Sequence, residues 1–185
     1  QPYNLARRFA SLDIISHGRI GWNATLAQNP REAANFSRPE GFSDDDFRRR
    51  AKEFINIVRL LWVGWEHDAL LFDKASGRFH DPDKMHPMNF AGEFFSVRGP
   101  LNVARSPQDV PVLVMSGLAE TELDFASPRA DVLLLDKGEP SDARATRDEI
   151  KRRAHEAGRD PATVKVLAMA DALPEYDGRS LEDLC

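Results

Sequence analysis

Three short, mostly apolar runs recur through the second half of the chain, at residues 110–115, 132–135 and 164–169. The first two, uninterrupted by polar residues, suit strands covered on both faces, because neither face has to meet water. The first lies between Pro107 and Gly117. Between the runs the pattern turns helical. A short helix is predicted from Glu120 to Ser127, ended by the restriction that Pro128 places on the residue before it. A charged helix follows, with Ser141 as its cap, and runs to about Ala157, where Gly158 and Pro161 stop it. A strand, helix, strand rhythm implies parallel β/α units, since the helix carries the chain back before the next strand starts.

The first half adds a helix over residues 5–12 and, after Gly18 and Arg19, a strand near residues 20–26. Phe47, Ala51, Phe54, Ile55, Val58, Leu61, Trp62 and Trp65 then recur at helical spacing and form one apolar stripe. Ser43 is the predicted N-cap of that helix, and Asp44, Asp45 and Asp46 sit where the helix dipole favours negative charge. Over residues 73–107 the helical period disappears and Gly77, Pro82, Pro87, Gly92, Gly99, Pro100 and Pro107 punctuate the chain. This segment reads as an insertion in a single domain of residues 1–185, with a hairpin at 79–98 outside the main sheet and covering part of it through Phe90, Phe94 and Phe95.

A net charge of −5 argues against a nucleic-acid or anionic membrane surface, since phosphate binding needs a positive field. The single cysteine, Cys185, cannot form an internal disulfide, which points to a reducing, cytoplasmic setting. No apolar run approaches the length of a membrane span. His17, His67, His80, His86 and His155 are not spaced as a metal site, and Asp81, Asp83 and His86 are the one grouping with any cation-binding character. The chain has no GxSxG elbow, Walker loop or GxGxxG turn.

Four strands with intervening helices fit either a small open α/β sheet or part of a (β/α)8 barrel. The segments LARRFASLDIISHGRIGWNATLA (residues 5–27), RFHDPDKMHPMNFAGEFFSVRGPLNVARSPQDVPVLV (78–114) and AGRDPATVKVL (157–167) resemble, in order, the nitrilotriacetate monooxygenase-like, FMN-dependent branch of the bacterial-luciferase-like flavin monooxygenases. The resemblance implies an α/β fold forming a partial (β/α)8 TIM-type barrel, about the fourth to seventh strand units, with an inserted β-hairpin. On that reading the chain is a fragment or a shortened relative, because a full barrel takes about 250 residues. It also implies a two-component enzyme in which reduced FMN and O2 oxidise a small organic substrate. A separate flavin reductase supplies the FMN, and the protein is a homo-oligomer. The alternatives are a degenerate, non-catalytic relative that serves as a binding or oligomerisation scaffold, and a flavin or phosphate-ligand binder without oxygenase chemistry.

In such a barrel the chemistry belongs at the carboxyl ends of the strands. Those ends hold Trp22, Asn23, Thr25 and Ala27, then Met115, Ser116 and Gly117, then Asp136 and Lys137. Asn23, Thr25, Arg48 and Gly117 are the expected cofactor-binding positions: an asparagine amide can hydrogen-bond a flavin ring edge, and glycine admits a close backbone. No residue stands out as catalytic and no metal is implied. Departures from the family pattern cluster in the same places. GWNVVTS reads Gly21-Trp22-Asn23-Ala24-Thr25-Leu26-Ala27, and a flavin-contacting tyrosine falls on Arg48. The phosphate turn QAGxSxxG has Ala119 in place of serine and Glu122 in place of the second glycine. A lost hydroxyl and added carboxylates predict weak FMN binding there, with Arg48 a partial replacement through its guanidinium fork.

Overall fold

The structure is a computed structural model that describes residues 1–33, 35, 40–136 and 140–169, so Lys137 and Cys185 lie outside the described residues. Its contacts divide the chain into two units, residues 1–22 with 26–112 and residues 23–25 with 113 onward.

The first unit is built on two helices. α1 (Pro2–Ser16) starts with a proline, which loses nothing where helical N–H groups have no partner, and ends at His17 in the left-handed conformation (φ 55°). α2 (Pro30–Ala33) is a single turn, and α3 (Asp44–Trp62) begins at the predicted cap, with Ser43 Oγ accepting from Asp46 N at 3.1 Å. Ile57, Val58, Leu61 and Trp62 of α3 pack with Ala6 and Ala10 of α1. The two alanines let the helices approach, and Trp62 Nε1 donates to the Ala6 carbonyl at 2.9 Å. Phe9, Trp22 and Phe54 extend this core, with the Trp22 and Trp62 rings edge to face at 6.1 Å. The apolar stripe was expected to carry Trp65 on the helix, but α3 stops at Trp62. At Gly64 a Cβ would come within 3.0 Å of Pro100, and Trp65 lies beyond the helix with its Nε1 donating to Leu101 O at 2.7 Å.

Asp13 of α1 is fully buried. Burial alone would raise its carboxyl pKa, yet hydrogen bonds from Gln108, Ser106 and Ile20 outweigh it and hold the group below its ordinary value. Gln108 Nε2 donates to Asp13 Oδ1 at 2.6 Å and to Ile20 O at 2.9 Å, which fixes the entry to the first strand.

In place of one hairpin over 79–98 the structure has two. β2 (Leu70–Asp73) pairs antiparallel with β3 (Arg78–His80), and β4 (Phe90–Ala91) with β5 (Ser96–Val97), each as a separate two-stranded sheet. The first has left-handed backbone at Phe72 and Gly77 and closes on an aspartate turn, Asp73 Oδ1 accepting from Ala75 N at 2.9 Å; a sequence scan for glycine and proline underweights the aspartate. The second is docked by Glu53 of α3, whose carboxylate accepts from the N–H groups of Glu93, Phe94 and Phe95 at 2.8–3.2 Å. Gly92 makes room for it, because a Cβ there would collide with that carboxylate. Phe90 and Phe95 therefore pack on the α1–α3 core, while Phe94 lies 5.5 Å below the Arg49 guanidinium.

The second unit carries the parallel sheet. β1 (Gly21–Ala24), β6 (Val112–Ser116), β7 (Val132–Leu135) and β8 (Lys165–Ala168) lie in that order, and β6, β7 and β8 pair parallel. A 3-10 turn (Glu120–Glu122) and α4 (Leu123–Ala126) separate β6 from β7, and α5 (Pro140–Glu156) separates β7 from β8. Helix α5 opens with Pro140, so Ser141 lies inside its first turn and is not the cap. The expectation of strands covered on both faces holds for one face only. Leu113, Met115 and Leu133 are fully buried, whereas Val112, Val114 and Leu134 are half-buried and Leu167 is 54% exposed.

Asp131 sets the register of these strands. Its Oδ2 accepts from Leu113 N at 2.9 Å and its Oδ1 from Arg159 Nη2 at 2.7 Å. Its own N–H donates to Leu113 O, and its carbonyl accepts from Lys165 N, both at 2.8 Å. A charge-assisted hydrogen bond contributes about 1.5–3 kcal/mol. Asp131→Ala is therefore expected to lower the unfolding free energy in urea by about 2 kcal/mol or more; a loss below about 0.5 kcal/mol would show that the register is held elsewhere.

Candidate functional site

Parallel pairing brings the carboxyl ends of β6, β7 and β8 to one side of the sheet, at Ser116, Leu135 and Ala168. Beside them, on the neighbouring strand β1, Ser116 Oγ donates to Asn23 Oδ1 at 3.1 Å. The Asn23 amide nitrogen meets no acceptor among the described residues and has two N–H groups to offer. Gly117 follows at φ 62°, a conformation that favours glycine, and a Cβ at this position would touch nothing within 4 Å. The glycine thus serves the backbone turn and leaves open space next to Ser116.

The sequence-derived positions distribute unevenly. Asn23, Thr25 and Gly117 belong to the second unit and are exposed, whereas Arg48 is exposed on α3 of the first unit. Trp22 is part of the aromatic core of the first unit, and Met115 is buried beneath the sheet end. Asp81 caps a 3-10 turn (Pro82–Lys84) by accepting from Asp83 N at 3.2 Å, and His86 Nε2 pairs with Glu66 at 2.7 Å. Among the described residues no cluster of three or more His, Cys, Asp or Glu is placed to hold a metal. No described helix is long and apolar enough to cross a membrane.

The turn after Gly117 was marked by Ala119 and Glu122, but sequence could not show how they interact. Glu122 is buried (4% exposed), and its Oε2 accepts from Ala119 N at 2.8 Å while its N–H donates to Ala119 O at 2.9 Å. The spacing of a carboxylate three residues after a turn residue is half of a capping box, which was the available signal. Next to this turn lies a cleft of about 570 Å³ lined by Leu118, Leu123, Leu134 and Leu135, with Glu120, Asp136, Asp142 and Glu149 also in its wall. It does not include Asn23, Ser116 or Gly117, and its acidic lining disfavours an anionic ligand.

Glu149 is fixed by two guanidinium groups. Hydrogen bonds from Arg152 and Arg153 hold its carboxyl down to about 2, from an ordinary 4.5. Arg153 also reaches Glu120 O at 3.2 Å and Asp124 Oδ1 at 3.1 Å, so α5 is tied to the turn.

Residues 1–174 match the luciferase-like monooxygenase family. The chain belongs to that family. It is 40% identical over 167 residues to N-acetyl-S-(2-succino)cysteine monooxygenase of Bacillus subtilis (strain 168), covering 90% of this chain and 38% of the relative. It is 42% identical over 167 residues to nitrilotriacetate monooxygenase component A of Aminobacter aminovorans, covering 90% and 37%. The crystal structure of long-chain alkane monooxygenase superposes with a TM-score of 0.83 at 32% identity, covering 91% of this chain and 39% of that one. The fold is thus a partial (β/α)8 barrel of the luciferase-like kind. The chain spans less than two fifths of the length of these relatives. All three are named as monooxygenases, which leaves the non-catalytic scaffold reading without support.

The family's flavin fits these residues unequally. The Asn23 and Ser116 side chains and the open space at Gly117 suit the polar edge of a ring, whereas the Ala119 N–H that a phosphate would need is already bonded to Glu122. The charge network makes its own prediction. The folded carboxyl of Glu149 titrates below its unfolded value, so its contribution to stability is full above about pH 4.5 and is lost as the pH falls toward 2. Carbon-detected NMR titration should give a Glu149 midpoint near 2 that rises toward 4.5 in Arg153→Ala; a midpoint near 4.5 in the unaltered chain would contradict the pairing.

Proposed function

We propose that this chain supplies part of the active site of a flavin-dependent monooxygenase, with the ring of reduced FMN lying at the carboxyl ends of β1 and β6. Bound reduced flavin supplies the electrons with which O2 is activated to oxidise a small organic substrate, and a separate flavin reductase renews it. The observation that carries the reading is the Asn23–Ser116 pair beside Gly117, in a chain matched over residues 1–174 by the luciferase-like monooxygenase family. Asn23 and Ser116 orient the ring through hydrogen bonds, and Thr25 lies one residue past β1. The reductase, the FMN form of the flavin and a homo-oligomeric assembly follow the same family reading.

Anaerobic calorimetry with reduced FMN tests it. One flavin per chain is expected, with Asn23→Ala weakening binding by about 2- to 10-fold, the range of one neutral hydrogen bond. With a flavin reductase, NADH and O2 added, substrate-dependent oxygen uptake is expected beyond that of the reductase alone. Absence of flavin binding at millimolar concentration, or binding indifferent to Asn23→Ala, would refute the assignment.

A further inference from the structure

The turn after β6 is where the family's flavin phosphate is expected, and in this chain it already holds an anion. The Glu122 carboxylate is buried and accepts the Ala119 N–H at 2.8 Å, the kind of bond a phosphate oxygen would make to the same donor. Ala119 brings a methyl group and no hydroxyl to replace the donor it has given up. The cation that reaches the turn, Arg153, is committed to Glu120 O, Asp124 and Glu149. Glu120 and Asp136 add further negative charge in the adjoining cleft wall. A phosphate approaching here would have to displace a buried carboxylate against like charge.

We propose that Glu122 is the resident anion of this turn and sets flavin selectivity, so that the chain recognises the ring and ribityl chain of a flavin and draws no affinity from the terminal phosphate. The inference rests on the flavin reading above. A phosphate-free flavin is therefore accepted about as well as FMN. Glu122 is a specificity residue that acts by occupation: it satisfies the donor internally and excludes a second anion.

Two measurements test this, and the second is independent of flavin binding. In the first, riboflavin and FMN are titrated against the full chain. The two affinities should agree within about threefold, and Glu122→Ala should shift the preference toward FMN by about tenfold, as expected for one regained charge-assisted contact. Glu122→Gln keeps an oxygen for the Ala119 N–H and should shift it less. A wild-type preference for FMN above tenfold, or equal shifts in the two variants, would overturn the proposal. In the second, inorganic phosphate is added to 15N-labelled chain. The Ala119 amide should stay put in the wild type and move in Glu122→Ala. Movement in the wild type, or in neither chain, would overturn the proposal, and the wild-type half needs no variant to fold. If neither flavin binds, the monooxygenase assignment fails while the phosphate titration still decides the role of Glu122.

Discussion

A single aspartate aligns the starts of three strands. Asp131 joins Leu113 of β6 through both its carboxylate and its backbone N–H, takes Lys165 N at the start of β8, and pairs with Arg159 after α5. In a parallel sheet a register fixed at one end is transmitted to the other, because a slip of one residue would turn every side chain over. The opposition of Ser116 to Leu134, and of Leu135 to Ala168, follows from that anchor. So does the placement of Ser116 for its bond to Asn23. The end of the sheet that bears Asp131 thus holds the strands together, and the other end is the one proposed to carry the chemistry.

The first unit reaches order by a different route. Its helices meet through small residues and a tryptophan bonded to a helix carbonyl, and its second hairpin is too short to stand alone. Glu53 resolves this by collecting three successive N–H groups at the hairpin tip, an anion held by a backbone concavity within one chain. Glu122 does the same in the second unit with one N–H. Both units therefore quench backbone donors with their own carboxylates.

The parallel strands were legible in the sequence to within about two residues, because short, mostly apolar runs between helical segments leave little else to form. The cap of α3 was legible for a similar local reason. Long-range partners were not. Nothing in the local pattern says that Trp65 leaves the helix for Leu101 O, that Asp13 is buried under Gln108, or that Phe90 and Phe95 turn toward the α1–α3 core. The altered residues at 119 and 122 were visible as departures, but the hydrogen bond that gives them meaning depends on the turn's three-dimensional closure.

The proposed function puts a flavin ring near Asn23 and Ser116, at the strand ends of a luciferase-like chain. The most direct test is to locate the ring on the chain by following backbone amide shifts as riboflavin is added to 15N-labelled protein. Shifts centred on residues 23–25 and 116–118 are the expected result. Shifts confined to the first unit, or spread without a centre, would contradict the account.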